Sequence, residues 1–555
     1  MHPALSALLL GAALLATPAP APAPAFAPPP AFDLILAGGR VVDGTGAPWF
    51  RADLGIRGDR IEAIGDLSAA RAARRIEVAG KMVAPGFIDL LGQSELFVLV
   101  DNRVESKIRQ GITTEITGEG GSVAPVSAET LRDQRPFLEE YKLTVDWTDL
   151  AGYFRRFERT GSAINLGTCV GAATVRQIVL GSGEVQPAPA QLAAMEALVE
   201  TAMQQGALCL STALIYPPGS YARTPELIAL AKVAARHGGV YASHIRGEGD
   251  EVLAALDEAF TIGREAKIPV EIWHLKVSGK KNWGRMKEVL ARVEAAREGG
   301  LDAGANMYPY DASSNGLDSN LPEWAQAGGV DAIIARLHDP AQREKIKAGL
   351  WSGGLGEEKA QQILLVSCLN PGLKRYMGKR LSEVAKEQGK SAEDALLDLV
   401  EADRANVGVV RFGLSEDDVR LGLQQPWVSL GSDNPGQAID GPFAQVMAHP
   451  RGFGAAPRLL GHYARDLKLF SIEEAVRRLT SLPARRFHLW SRGLLRPGMT
   501  ADVTVFDPRT VRDLATYEKP LVYAEGIETV IVSGKVVLDQ GKLTAERPGR
   551  ALRRQ

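Results

Sequence analysis

Eight short apolar runs, separated by segments with helical spacing, fill the middle of this 555-residue chain. The segments 191–205 and 225–237 are examples of the helical stretches. Strands that alternate with helices in this way form a parallel sheet, and eight repeats are typical of a (β/α)8 barrel. We therefore predict an α/β fold with a TIM-type barrel over residues 84–490. The eight predicted strands end within 86–89, 113–117, 164–167, 208–211, 240–244, 270–274, 305–308 and 428–433.

One connection is too long for a single crossover helix. Residues 318–425 separate the last two predicted strands, and a compact domain does not leave such a length without structure of its own. We predict an inserted helical subdomain, or lid, over about 318–425.

The two ends of the chain share a residue pattern that differs from the pattern of the middle. Residues 32–83 and 491–555 contain short alternating apolar and polar runs that are separated by glycine-rich turns, which is the pattern of β-strands. Because these segments flank the α/β middle, we expect one small β-sandwich built from both termini.

Residues 1–31 form an Ala/Pro-rich leader without Asp, Glu, Lys or Arg. The apolar stretch 4–16 is shorter than a membrane span and resembles the core of a signal peptide. An Ala/Pro leader without targeting function is the alternative, since the basic start of a signal peptide is missing. We expect export, to the periplasm or outside the cell.

Charge and cysteine content narrow the possible partners. The formal net charge is −2, and Lys and Arg are spread along the chain, which argues against binding to nucleic acid or to a membrane surface. We expect a small-molecule substrate. The three cysteines, Cys169, Cys209 and Cys368, lie in apolar runs without metal-binding spacing, and we interpret them as buried free thiols.

Two of the eight histidines end consecutive predicted strands. In a barrel of this kind, the carboxyl ends of the strands form the active-site face. His244 and His274 would therefore point at one place, where imidazole is a common zinc ligand. Asp433, at the end of the last predicted strand, is placed to act as a general base. A structural histidine pair and a helix-capping Asp are the alternatives.

A catalytic zinc usually has three protein ligands, so a third must come from another strand end. Glu119 lies in a glycine-rich turn just after the second predicted strand, and we expect it to be that ligand. A salt bridge is the alternative role for Glu119. Glu95 is a second candidate ligand, further from its strand end.

The run 83–89, Val-Ala-Pro-Gly-Phe-Ile-Asp, resembles the first barrel strand of the amidohydrolase superfamily. In that superfamily a His-X-His metal clamp follows, whereas here Leu91 and Gln93 hold the clamp positions. More specifically, the chain resembles the D-aminoacylase (N-acyl-D-amino-acid deacylase) family over nearly its whole length after the leader. The matching stretches are 241–246, 274–279 with 282–284, 308–314, 449–454, 479–484 and 492–498.

This resemblance implies a zinc site held by a cysteine and two histidines. The histidines match His244 and His274, and the cysteine position falls on Gly120, so we expect Glu119 to replace the missing thiolate. The family's base matches Asp433. Loss of the clamp predicts one zinc per chain, and a carboxylate in place of a thiolate allows another divalent metal. The residues implied to hold the substrate carboxylate are Tyr216, Lys276 and Arg451.

The predicted activity is metal-dependent hydrolysis of N-acyl-D-amino acids to a D-amino acid and a carboxylate. Dipeptides of D configuration are an alternative substrate class. A hydantoinase-like hydrolase of cyclic amides is another, although those enzymes use two metals bridged by a modified lysine. An inactive binding protein on the same scaffold is the alternative outside enzymes, and the missing clamp favours it.

Overall fold

The computed structural model describes Met1, residues 31–350 and residues 355–554. The predicted signal peptide falls almost entirely on residues 2–30, outside the described part of the chain. Among the described residues, no helix is both long enough and apolar enough to cross a membrane.

The described chain alternates between strands and helices. The strands are β1 Phe32–Val41, β2 Phe50–Arg57, β3 Arg60–Gly65, β4 Ala72–Glu77, β5 Met82–Pro85, β6 Phe87–Asp89, β7 Ile112–Thr117, β8 Asn165–Thr168, β9 Val170–Gly171, β10 Cys209–Ala213, β11 Val240–His244, β12 Val270–Ile272, β13 Ala303–Met307, β14 Ala312–Gly316, β15 Ile363–Ser367, β16 Gly408–Phe412, β17 Val428–Leu430, β18 Val503–Phe506, β19 Ile527–Val532, β20 Lys535–Asp539, β21 Lys542–Leu543 and β22 Ala551–Leu552.

The α-helices are α1 Phe97–Val100, α2 Glu105–Ile108, α3 Ala128–Glu140, α4 Leu150–Thr160, α5 Ala172–Leu180, α6 Pro189–Gln204, α7 Thr224–Arg236, α8 Val252–Ala266, α9 Met286–Glu298, α10 Glu323–Gln326, α11 Val330–His338, α12 Pro340–Gly349, α13 Gly356–Gln361, α14 Leu381–Gln388, α15 Ala392–Ala402, α16 Glu416–Leu423, α17 Arg451–Arg458, α18 Ile472–Leu479 and α19 Ser481–Arg486. A π-helical segment, Leu459–Asp466, continues α17.

Strands from both ends of the chain form one nine-stranded sheet. The order is β21-β20-β19-β18-β5-β1-β2-β3, with β4 paired to β1. The antiparallel pairing of β5 with β18, from Val503 opposite Pro85 to Phe506 opposite Met82, joins the two ends. The β-domain built from both termini is therefore present. Its strands are hydrogen-bonded into a single sheet rather than two, and apolar residues from β1, β2, β3, β18 and β19 share one core cluster.

The eight strands predicted for the middle of the chain are all present and parallel to their neighbours. One sheet has the order β17-β13-β12-β11-β10-β9, and a second has the order β22-β8-β7-β6. Only Cys169 separates β8 from β9. At the other edge, the amide of Leu90 donates to the carbonyl of Leu430 at 3.1 Å, and the amide of Asp433 donates to that of Leu91 at 2.7 Å.

Helix α8 packs against β12 through an apolar stripe. In α8, the buried residues Val252, Leu256, Ala259 and Gly263 recur at intervals of three and four residues, the spacing that places residues on one helix face. The largest core cluster contains residues of this helix together with residues of β7, β10, β12 and β13. The parallel strands therefore lie inside, and their carboxyl ends present side chains to a common side.

The prediction of a helical insertion over about 318–425 was incomplete. This region contains helices α10–α16, but it also supplies β15 and β16, which pair with β14 in a three-stranded antiparallel sheet. The insertion has a hydrophobic core of its own, with residues such as Leu337, Leu365 and Leu396. The β-branched and leucine-rich runs of β15 and β16 explain why they form strands rather than helices.

The interpretation of all three cysteines as free thiols was wrong for two of them. Cys169 and Cys209 form a disulfide whose Cα atoms are 4.6 Å apart, and Cys368 is free. Cys169 lies between β8 and β9, and Cys209 begins the neighbouring strand β10. Parallel pairing thus brings together two residues that are 40 positions apart in the chain, and no spacing rule could have shown this.

A fully buried lysine connects β6 to the turn after β17. The ammonium of Lys107 donates to Oδ2 of Asp89, to Oγ of Ser432 and to the carbonyl of Asn434, at 2.7, 2.7 and 2.8 Å. Oε1 of Glu115 lies 3.4 Å away. Burial alone would lower the pKa of Lys107, but the two carboxylates outweigh it and raise that pKa. Lys107 therefore remains a cation inside the protein.

We predict that Lys107→Ala lowers the free energy of unfolding by about 3–5 kcal/mol, because it leaves buried carboxylates without a partner. Lys232→Ala, on the exposed face of α7, is the control and is expected to change it by less than about 0.5 kcal/mol. Urea denaturation of both variants measures the difference. Equal stability of the two variants would contradict the role given to Lys107.

Candidate active site

Three potential metal ligands meet at the carboxyl ends of the parallel strands. Glu119 follows β7, His244 is the last residue of β11, and His274 comes two residues after β12. Oε1 of Glu119 lies 2.8 Å from Nδ1 of His244 and 2.8 Å from Nε2 of His274, and the two ring nitrogens are 2.9 Å apart. Among the described residues, this is the set of His, Cys, Asp and Glu side chains whose ligand atoms all lie within 4.8 Å of one another.

Two glycines in left-handed conformation shape the turn that carries Glu119. Gly118 has φ +92° and Gly120 has φ +68°, values that residues with a side chain rarely adopt. The amide of Gly120 donates to Oγ of Ser211 at 3.1 Å. A Cβ atom added at Gly120 would lie 2.4 Å from the Cβ of Ala213. In this turn a cysteine at position 120 would not fit without a shift, whereas the carboxylate of Glu119 reaches both histidines.

The charges around the three residues favour a cation between them. Burial alone would raise the pKa of Glu119, but His274 and His244 outweigh it and hold that pKa well below its usual value. Burial and Lys276 lower the pKa of His274, but Glu119 and Glu248 outweigh them and raise it to about 9. Nε2 of His244 is buried without a hydrogen-bond partner. A carboxylate with two imidazoles is a typical donor set for zinc, so these residues fit a metal ion.

Glu248, which the sequence analysis missed, contacts both histidines. Its Oε1 lies 3.1 Å from Nδ1 of His274 and 3.6 Å from Nε2 of His244. The ammonium of Lys276 donates to the same oxygen at 2.5 Å and lies 2.7 Å from Nδ1 of His274. Carboxylates in this position fix the orientation of metal-binding imidazoles. The sequence offered one indication of this contact, since Glu248 lies four residues after His244.

Gln93, at one of the two clamp positions, forms hydrogen bonds with two carboxylates. Its side-chain amide donates to Oε2 of Glu119 at 2.7 Å and to Oδ1 of Asp433 at 3.2 Å. Leu91, the other clamp position, is fully buried in an apolar cluster. Burial is the main cause that raises the pKa of Asp433, and Glu119 adds to it, whereas Arg451 opposes it.

A buried guanidinium lies on the far side of Asp433. Nη2 of Arg451 is 2.8 Å from Oδ2 of Asp433, and the guanidinium carbon is 4.5 Å from the ring centre of Tyr308. Its Nε and Nη1 atoms are buried and have no hydrogen-bond partner. Tyr216 packs edge-on against His244, with ring centres 5.3 Å apart. These residues line a cavity of about 310 Å³ that also contains Lys276 and the three potential ligands.

The structure therefore brings all of the predicted site residues into one cavity. Glu95 is the exception among the candidates, since it is absent from the wall of this cavity and lies in a neighbouring one. The residues that the sequence analysis missed or assigned no role are Gln93, Glu248 and Tyr308. All three act through contacts with predicted residues, which a single sequence does not show.

Comparisons with known proteins identify relatives of this chain. Residues 378–538 match the model of an amidohydrolase family. A D-aminoacylase from Alcaligenes xylosoxydans xylosoxydans is 38% identical over 524 residues, which cover 94% of this chain and 98% of the relative. The crystal structure of N-acyl-D-glutamate deacylase from Bordetella bronchiseptica, complexed with zinc and a phosphonate mimic of the tetrahedral intermediate, is 34% identical. It has a TM-score of 0.81, with 94% of this chain and 99% of that chain covered.

A structure of D-aminoacylase determined to study the role of its binuclear metal centre is also similar. It is 37% identical, with a TM-score of 0.79, and the match covers 94% of this chain and all of that chain. The matches to these relatives cover 94% of this chain.

We predict that Glu248→Gln lowers metal affinity or activity by about 10- to 100-fold, because the amide supports the imidazoles less well than the carboxylate does. Glu251→Gln is the matched control, since Glu251 is exposed at the start of α8. Metal affinity measured by competition with a chromophoric chelator tests this. An effect of equal size in both variants would show that the carboxylate of Glu248 does not support the imidazoles.

Proposed function

The chain belongs to the D-aminoacylase family of amidohydrolases, and on that premise we propose that it hydrolyses the amide bond of N-acyl-D-amino acids. The products are a D-amino acid and a carboxylate. The observation that carries the proposal is the convergence of Glu119, His244 and His274 beside Asp433. The unpartnered donors of Arg451 in the same cavity supply a place for the substrate carboxylate.

We propose one zinc per chain, held by Glu119, His244 and His274. When bound, zinc supplies a Lewis acid that polarises the scissile carbonyl and lowers the pKa of water. The missing clamp leaves Gln93, an amide donor, where a second metal would need a ligand. The carboxylate of Glu119 in place of a thiolate broadens the range of divalent metals that the site accepts.

Asp433 carries the proton transfers. It accepts a proton from the attacking water as the oxygen adds to the acyl carbon. It then returns that proton to the nitrogen as the carbon–nitrogen bond breaks, so the amine leaves neutral. Burial raises the pKa of Asp433, whereas Arg451 lowers it. The net effect is a raised pKa, which makes Asp433 a better proton acceptor than an exposed aspartate.

The substrate carboxylate binds on the side of Arg451, Lys276 and Tyr216. Arg451 offers its free Nε and Nη1 donors, Lys276 offers a positive charge 5.7 Å from the ring centre of Tyr308, and Tyr216 offers a hydroxyl. The preference for D-amino acids is proposed from the similarity to D-aminoacylase and to N-acyl-D-glutamate deacylase.

We also propose that the two parallel sheets are parts of one closed (β/α)8 barrel, with the domain bounds 84–490 for the barrel and 32–83 with 491–555 for the β-domain. The hydrogen bonds from Leu90 to Leu430 and from Asp433 to Leu91 support closure. Closure explains why side chains after β6, β7, β11, β12 and β17 meet in one cavity.

The alternatives have less support. A binding protein without activity would not need the proton-accepting Asp433 beside the ligand set. A hydrolase of cyclic amides with two metals would need a second set of ligands, and Leu91 and Gln93 do not supply it.

The activity test is hydrolysis of N-acetyl-D- and N-acetyl-L-amino acids by purified protein loaded with zinc. We expect release of the D-amino acid and little or no release of the L-amino acid. Glu119→Ala should lose zinc and activity together. Asp433→Asn should keep zinc, measured by elemental analysis, and lose about 10²- to 10⁴-fold in kcat. Full zinc binding without hydrolysis of any acylated amino acid would overturn the proposal.

We propose that the protein is exported. Disulfides persist in oxidising compartments, and the Cys169–Cys209 bond is supported by the adjacency of β8, β9 and β10. Titration of thiols in the denatured, unreduced protein should find one thiol per chain, that of Cys368. Three thiols in protein isolated from its natural source would contradict export.

A further inference from the structure

A separate cavity lies at the amino-terminal ends of the parallel strands, opposite the active site. Its volume is about 410 Å³, and its wall includes Asp302 and Trp427. Asp302 directly precedes β13 and Trp427 directly precedes β17, whereas the proposed metal ligands lie at or after the carboxyl ends of their strands. Among the described residues, none belongs to the walls of both this cavity and the active-site cavity. This space therefore takes no part in the proposed hydrolysis.

The wall of this cavity carries an excess of positive charge. It contains the four arginines Arg297, Arg477, Arg485 and Arg486, and Asp302 is its one carboxylate among the described residues. The whole chain has a formal net charge of −2, so this concentration of cations is a local feature. A concave surface lined by charges of one sign attracts ligands of the opposite sign. We call this space the arginine cavity.

Two of the four arginines are already paired with carboxylates. Nε of Arg477 lies 2.6 Å from Oε2 of Glu474. Nε of Arg486 lies 3.0 Å from Oε2 of Glu271, and its Nη1 pairs with Asp302. The charges of Arg477 and Arg486 are therefore balanced within the protein.

The other two arginines, Arg297 and Arg485, are exposed and form no ion pair in the part of the chain that the structure describes. Nη1 of Arg297 donates to the carbonyl of Ala303, and its guanidinium carbon lies 6.0 Å from the ring centre of Trp427. The side chain of Arg485 has no hydrogen-bond partner among the described residues either. Two guanidinium charges in the wall are thus uncompensated.

An exposed aromatic surface borders the same cavity. The side chain of Trp490, in the cavity wall, is 65% exposed. Its ring is stacked on the imidazole of His488, with ring centres 5.3 Å apart and an angle of 12° between the planes. The imidazole supports one side of the indole, and the high exposure shows that much of the indole is open to solvent. Surfaces of this kind bind flat rings by stacking.

We propose that the arginine cavity is a binding site for a nucleoside monophosphate. A phosphate monoester carries a charge of about −2 at neutral pH, which matches the two uncompensated guanidinium groups of Arg297 and Arg485. Guanidinium groups bind phosphate oxygens through paired hydrogen bonds. The base stacks on Trp490, at the edge of the same cavity. The volume of the cavity lies within the range of pockets that hold small ligands.

An aromatic carboxylate is the other ligand that combines a flat ring with negative charge. Its single charge would leave one of the two guanidinium groups uncompensated, so the charges of the wall favour the phosphate. The proposed site shares no residue with the active site among the described residues. The inference therefore goes beyond the proposed hydrolysis and does not depend on it.

The first test compares adenosine monophosphate with its two parts. Isothermal titration calorimetry of the full chain at constant ionic strength measures the affinity for adenosine monophosphate, for adenosine and for inorganic phosphate. We expect adenosine monophosphate to bind at least about tenfold more tightly than either part, because each part lacks one set of contacts. An equal affinity for adenosine would overturn the phosphate site, and no binding of the nucleotide would overturn the whole proposal.

Phenyl phosphate and benzoate separate the two kinds of aromatic anion. Both carry one flat ring, and they differ in the charge of the acidic group. We expect the phosphate to bind more tightly by at least about fivefold, because it can engage both free guanidinium groups. Equal affinities, or a preference for benzoate, would overturn the phosphate in favour of an aromatic carboxylate.

Substitutions in the wall locate the binding. Arg485→Gln should weaken adenosine monophosphate by at least about tenfold and leave adenosine unchanged, since it removes one guanidinium group. Trp490→Ala should weaken both ligands by at least about fivefold through the loss of stacking. Arg155→Gln, in an exposed position on α4 outside the cavity wall, is the matched control and should change neither.

The thermal unfolding midpoint of each variant shows whether a loss of binding reflects a loss of structure. Because Arg485 and Trp490 are both exposed, we expect the midpoints to stay at the value of the unchanged protein. Undiminished binding of adenosine monophosphate in Arg485→Gln would place the nucleotide elsewhere, such as in the active-site cavity, and overturn the proposal.

Discussion

The ion cluster around Lys107 is the interaction on which the active site depends. A single ammonium, fully buried, binds Asp89 at the end of β6 and Ser432 with Asn434 after β17. Asp89 in turn accepts hydrogen bonds from the amide and hydroxyl of Ser432, at 2.8 and 2.5 Å. These residues flank Asp433 on both sides. The ends of β6 and β17 are therefore held together, and the position of Asp433 follows from it.

At the two clamp positions, Gln93 and Leu91 stand in place of histidines, and their side chains fill the space that the histidines would occupy. Two carboxylates near one another repel in a buried site unless a cation or hydrogen-bond donors lie between them. Gln93 provides those donors, since one side-chain amide binds both Glu119 and Asp433. Leu91 fills the remaining space with apolar surface. A neutral residue thus keeps Asp433 beside the proposed metal ligands Glu119, His244 and His274.

The sequence predicted most of this arrangement, for identifiable physical reasons. The parallel strands are buried on both faces, so they appear as apolar runs, and polar residues at their ends, such as His244 and Asp433, stand out. The partners of those residues lie in loops without periodicity. For that reason the sequence analysis missed Glu248, and it treated Gln93 only as the replacement of a clamp histidine. The disulfide and the strands of the insertion depend on contacts between distant segments. A single sequence carries no signal for such contacts.

Two residues of the site keep backbone conformations that the rest of the structure must stabilise. His274 has φ +37° and Asp433 has φ +50°, each in a region that costs a residue with a side chain about 1–3 kcal/mol. The amide of His274 donates to Oδ1 of Asn306 at 2.8 Å, and that of Asp433 to the carbonyl of Leu91 at 2.7 Å. Both acceptors belong to neighbouring strands or to the residues directly after them. The turns after β12 and β17 are thus fixed by the sheet itself, so the imidazole and the carboxylate reach the cavity already oriented, and substrate binding need not order them.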